Sequence, residues 1–211
     1  KDILYSYVKA ESITYSSGEK QAESFFLSYF KNQPYWQEHP EYVGTKPIKD
    51  DPYGRAAAFA MVRGKGDKAI VFVHHNDVVT VEDYDRLRPL AFSPDELVAE
   101  LKKRADSFSE EIRNDLASDA YLYGRGVCDM KGGGSIQMAL LRRYSELVRR
   151  SPEALPGSLI VLAVPDEENL SAGMRAAVTL LAELKAQYSF TYQLMINSEP
   201  HQRKAPETGV F

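Results

Sequence analysis

The 211-residue sequence predicts an α/β domain: a mixed, mostly parallel sheet covered by helices on both faces. Three observations carry that expectation. Apolar runs recur at 69–73 and 159–164 without a polar break, as in strands buried on both faces, and a third apolar segment, interrupted by Gln193, follows at 192–196. Segments with apolar residues at helical spacing lie between them. Each apolar run then stops abruptly in polar, ligand-type residues: "HHND", "PDEEN" and "NSEPH".

In chain order, 2–12 and 18–33 carry aromatics and aliphatics at helical spacing and predict two N-terminal helices. Residues 33–54, rich in Pro, Tyr and Gly, predict a connector that includes a short strand. The runs 55–64 and 68–75 flank "GKGD", whose Gly and Asp predict a hairpin turn. Segment 93–118 predicts one helix or two, with Ser93 as N-cap, Pro94 at the first helical position and acids in the first turn. A loop over 121–132 feeds an amphipathic helix from Gly133 to Arg150, and another helix follows at 171–187.

Composition narrows the function classes. Hydrophobic residues make up 44% and charged residues 27%, so a core can form. The formal charge is −4, the pI is near 5.7 and no Lys/Arg block stands out, which argues against nucleic acid or an anionic membrane as the partner. No apolar run approaches the ~20 residues of a membrane span, and the opening "KDILYSYVKAES" lacks a signal-peptide pattern. The single cysteine, Cys128, cannot form an internal disulfide and reads as a small packing residue, so a cytoplasmic location is expected.

Sites in open α/β sheets lie beyond the carboxyl ends of the strands. If the three runs are parallel, His75, Asp77, Glu167, Glu168 and Glu199 emerge on one edge, and the loop carrying Asp129 can reach it. Alone, Asp129 reads as a turn residue and Glu167 and Glu168 as a solvated first helical turn. Together, so many carboxylates repel one another unless a cation is present. One imidazole among carboxylates suits Zn²⁺, Mn²⁺ or Co²⁺. The surplus of carboxylates predicts two ions about 3.5–4 Å apart sharing a bridging carboxylate, with a further carboxylate free to take a proton from water. His74 is expected on the face opposite His75. The "KGGG" run lacks P-loop spacing, because Lys131 precedes the glycines; close backbone packing is the better reason for them. Arg86 and Arg88 read as solvated surface.

With "HHND", "GRGVCDMKGG", "PDEEN" and "NSEP" in this order, the chain resembles the co-catalytic zinc metallopeptidase family. That family includes carboxypeptidase G, peptidase T, the aminoacylases and acetylornithine deacetylase. The doubled His and the long gap before "GRGVCDMKGG" resemble its arginine-utilisation branch in bacilli. The resemblance covers roughly residues 55–201. It implies that His75 ligates one metal, with Asp77 holding its imidazole through the other ring nitrogen. It further implies that Asp129 bridges two Zn²⁺ ions, with a cis bond after it, that Glu167 is the general base, that Glu168 ligates the second ion and that Glu199 completes the first.

The family's last ligand is a distant His beyond a lid-like dimerisation domain, and His201 lies too near Glu199 to be it. The resemblance therefore implies that 1–211 is the N-terminal part of a catalytic domain, with 82–120 as a charged helical insertion. It also implies a small peptide or N-acyl amino acid substrate and a homodimeric full-length protein. The rival expectation is an inactive relative serving as a metal-binding or assembly module. A nucleotide-binding Rossmann-like protein is disfavoured, since no G-x-G-x-x-G follows any strand.

Overall fold

The computed structural model describes residues 1–200. Five strands, β1 (Val43–Pro47), β2 (Ala56–Val62), β3 (Lys68–His75), β4 (Ser158–Val164) and β5 (Thr191–Asn197), form one sheet in the order β1-β2-β4-β3-β5. Strands β3, β4 and β5 run parallel, whereas β1 with β2 and β2 with β4 are antiparallel. The sheet is mixed, and its three parallel strands are the ones that end in ligand-type residues. Strands β2 and β4 are buried along their whole length, which explains their unbroken apolar sequences.

The "GKGD" turn does not join a hairpin. Strand β4 lies between β2 and β3 in the sheet, and the Lys65 N–H bonds instead to the carbonyl of Leu155, on the approach to β4. The two flanking strands still run in opposite directions, as the turn demands. The turn residues encode that reversal, and the strand inserted between them comes from about ninety positions later.

Helices α1 (Asp2–Val8), α2 (Glu19–Lys31) and α3 (Pro34–Glu38) precede the sheet; α4 (Pro94–Lys103) and α5 (Glu110–Ser118) lie between β3 and β4. Helix α6 (Gly133–Arg150) leads into β4 and α7 (Ala172–Tyr188) into β5. Side chains alternate between the two faces. Ala58, Ala60, Val161 and Ala163 pack with Phe26, Phe30, Trp36, Met138 and Leu141. Ala57, Phe59, Val71 and Leu162 pack with Leu180, Leu181, Leu184 and Phe190. The small side chains of β2 make room for the aromatics of α2 and α3, each worth roughly 1.5–3 kcal/mol when fully buried. The Trp36 Nε1–H, also buried, donates to the Met61 carbonyl at 3.2 Å.

The 93–118 segment forms two helices. Ser93 stands at the N-cap of α4, but its side chain makes no cap bond; Ser109 does cap α5, accepting from the Ile112 N–H at 3.4 Å. Ala91 and Phe92 form a small separate core with Val78. Among the described residues, no helix is long and apolar enough to cross a membrane.

Candidate metal centre

Strand β3 ends at His75, and the four polar residues from His74 to Asp77 are all buried. The Nδ1–H of His75 donates to the backbone carbonyl of Asp77 at 3.0 Å, and Nε2 faces Asp129 Oδ1 at 2.9 Å. Glu199 Oε1 lies 3.7 Å and Glu167 Oε2 3.9 Å from the same Nε2. Burial pulls the imidazole pKa down, but Asp77, Glu167 and Asp129 outweigh it and hold the group up at about 9.

Asp77 meets the imidazole at Nδ1, the ring nitrogen away from Asp129. The hydrogen bond from the imidazole goes to its carbonyl, while Oδ1 stands 3.5 Å from Nδ1 and acts there as a charge. The two carboxylate oxygens accept instead from the backbone N–H groups of Glu167 and Glu168, each at 3.1 Å. One fully buried carboxylate thus ties the end of β3 to the turn after β4.

Asp129 sits in a tight turn, Val127–Gly132, and its peptide bond to Met130 is cis, as the resemblance implies. His75, Asp129 and Glu199 each offer one ligand atom, and these atoms lie within 4.8 Å of one another. One imidazole nitrogen and two carboxylate oxygens in that span fit a divalent ion. Glu168 stands outside this group of three. Burial, then the Asp129 charge, raises its carboxyl above the usual range. Burial, then Asp129, raises Glu199 likewise. Beside these groups lies a cavity of about 480 Å³ whose apolar wall includes Met130, Met174 and Met195. His201 lies outside the described residues.

Other residues support the site without having been expected to. Arg55, at the head of β2, is 2% exposed and pairs with Glu19 at 2.6 Å, Asp51 at 2.6 Å and Asp166 at 2.8 Å. Asp166 also accepts from the Ala172 N–H at 3.0 Å, and its own N–H donates to Glu19 Oε2 at 2.7 Å. This cluster anchors the turn that carries Glu167 and Glu168. A lone Arg opening an all-apolar strand, "GRAAAFAMV", was the available signal.

Lys131 is fully buried and points inward: Nζ donates to the Ala10 carbonyl at 2.7 Å, and burial lowers its pKa to about 7. That orientation leaves no lysine for a phosphate at "KGGG". His74, on the opposite face from His75, meets Tyr7 and Gln137, and burial lowers its pKa to about 4. Cys128 is exposed rather than packed.

Residues 108–209 match the sequence profile of Peptidase family M20/M25/M40. The Uncharacterized protein YqjN of Bacillus subtilis (strain 168) is 35% identical over 205 residues, 97% of this chain and 36% of the relative. Protein RocB of the same organism is 32% identical over 196 residues, 92% of this chain and 34% of the relative. The chain thus spans about a third of the length of these curated relatives.

In fold it is similar to an M20 family metallo-carboxypeptidase, Sso-CP2, from Sulfolobus solfataricus, with a TM-score of 0.57 at 14% identity over 92% of this chain and 36% of that one. It is also similar to human carnosine dipeptidase 1, with a TM-score of 0.54 at 14% identity over 92% of this chain and 37% of that one. Profile and fold agree: residues 108–209 carry a domain of Peptidase family M20/M25/M40, within a chain whose fold is similar to that of solved M20 proteins.

Proposed function

We propose that the protein is a metal-dependent hydrolase that cleaves the amide bond of a small peptide or an N-acyl amino acid. The observation that carries this reading is the convergence of the His75, Asp129 and Glu199 ligand atoms within 4.8 Å, with a Glu167 oxygen 3.9 Å from His75 Nε2. His75 and Glu199 would hold one ion, Glu168 a second, and Asp129 both. The remaining protein ligand of the second ion would be a His outside this chain. Zn²⁺ suits the donor set best, with Co²⁺ or Mn²⁺ as substitutes. When bound, the ions supply Lewis acidity, easing deprotonation of a water and polarising the scissile carbonyl.

The chain's own residues supply the proton transfers. Glu167, with its side chain 47% exposed, is reachable by substrate. Its carboxylate takes the proton of the attacking water and returns it to the departing amine. Asp77 holds the backbone of the base and of its ligand neighbour through two hydrogen bonds, so the two keep a fixed spacing. The likeness to Protein RocB, with the resemblance to the arginine-utilisation branch, supports a place in amino-acid catabolism.

The test is hydrolysis of a panel of dipeptides and N-acyl amino acids by the zinc-loaded full-length protein and by Glu167→Gln. The variant should lose about 10²–10⁴-fold in kcat while binding zinc as before. An unchanged kcat would remove Glu167 as the base. A wild-type protein that binds zinc but cleaves nothing in the panel would favour the metal-binding or assembly module.

A further inference from the structure

A buried hydrogen-bond chain runs beneath the metal centre on the other face of β3. Tyr7 Oη lies 3.2 Å from His74 Nε2, and His74 Nδ1 lies 2.9 Å from Gln137 Oε1. Gln137 Nε2 in turn lies 2.8 Å from the Val73 carbonyl and 2.8 Å from Ser198 Oγ. The direction of every bond follows from its ends. A backbone carbonyl only accepts, so the Gln137 amide nitrogen must face Val73, and its two hydrogens go to Val73 and Ser198. Oε1 is then the acceptor and requires a proton on His74 Nδ1. Nε2 of the neutral ring is left with a lone pair, and the Tyr7 hydroxyl donates to it. Tyr7 and His74 are fully buried and Gln137 is 2% exposed, so turning any member round would leave like groups facing each other out of water.

Ser198, the last member, directly precedes Glu199. Val73 lies two residues before His75 on β3. One amide therefore holds two of the three segments that would carry ligands of the first metal. The first turn of α6 is shaped to admit this arrangement. A Cβ on Gly133 would collide with the Ser198 carbonyl, and one on Gly134 with the His74 ring.

We propose that Gln137 is the positioning residue for Glu199: held in one orientation by His74 and Tyr7, its amide fixes Ser198 and so sets where the Glu199 carboxylate stands beside His75 and Asp129. The inference rests on the reading of Glu199 as a metal ligand. Gln137 itself touches none of the ligand atoms and acts through Ser198.

The test uses Zn²⁺ alone, titrated into the full-length protein and its Ser198→Ala, Ser198→Thr, Gln137→Met, Glu199→Ala and Ser198→Ala/Glu199→Ala variants, with a melting curve for each zinc-free form. Ser198→Ala and Gln137→Met should each weaken zinc binding by roughly 10–100-fold, the usual scale for groups that orient a ligand. Ser198→Ala should melt with the wild type, and Ser198→Thr, which keeps the hydroxyl, should bind zinc nearly as the wild type does. In the Glu199→Ala background, Ser198→Ala should cost nothing further. Wild-type affinity in both Ser198→Ala and Gln137→Met, with Glu199→Ala weakened, would overturn the inference and leave Glu199 as a ligand. Wild-type affinity in Glu199→Ala would overturn both. An equal loss from Ser198→Ala with and without Glu199 would also overturn the inference. Should Gln137→Met fail to fold, half-buried Ser198 decides the matter.

Discussion

As a proposed metal ligand, His75 would offer one nitrogen lone pair for which a proton and a divalent ion compete. The acidic neighbours hold the folded-state pKa at about 9, above its ordinary 6.5. Without metal, the imidazolium adds stability that is complete below about pH 6.5 and is lost as pH rises through about 9. Metal binding needs the neutral ring, so zinc affinity should change in the opposite sense, rising about tenfold per pH unit up to about pH 9. Zinc titrations and urea unfolding of the zinc-free protein between pH 6 and 9 would check both slopes.

Arg55 is the second residue with a sharp prediction. Removing its charge leaves Glu19, Asp51 and Asp166 buried without compensation, and Arg55→Met should cost about 3–5 kcal/mol in urea unfolding. Arg88, half-exposed in its pair with Glu82, should be replaceable by Ala with no measurable change.

Among elements, the strand ends and the helix after the glycines do the positioning. Gly134→Ala would gain up to about 1 kcal/mol of helix propensity but drive a methyl into the His74 ring. A net destabilisation of about 1–3 kcal/mol is expected in denaturant titration, because overpacking of a buried ring outweighs propensity. The elements themselves were legible, since periodicity and abrupt polar ends are local signals; α6 begins and ends where the pattern places it. The β2–β3 neighbourhood was not, because a turn sequence reports chain reversal and says nothing of a strand inserted from elsewhere. The same limit applies to the site. His75, Asp129 and Glu199 were readable as polar residues breaking apolar or glycine-rich runs. Arg55 stood out as a lone charge before an apolar strand, but its partners and those of Gln137 were not readable, because they lie as far as 111 and 61 positions away and meet only once the layers stack.

For the whole molecule, the family profile covers 108–209, yet the likeness in fold covers 92% of the chain. The N-terminal part earns that place by contact. Tyr7 closes the chain to Gln137, the Ala10 carbonyl receives Lys131, and Glu19 holds Arg55 and Asp166. Deleting residues 1–12 should abolish zinc binding and lower the melting temperature, as the floor under the Asp129 turn is lost; a deletion variant that binds zinc normally would show the floor to be dispensable.

The central claim, a metal pair sharing Asp129, is tested most directly by zinc stoichiometry of the full-length protein and its Asp129→Ala variant, by elemental analysis after dialysis. About two ions per chain are expected in the first and almost none in the second. A wild type without zinc, or a variant that keeps both ions, would contradict it.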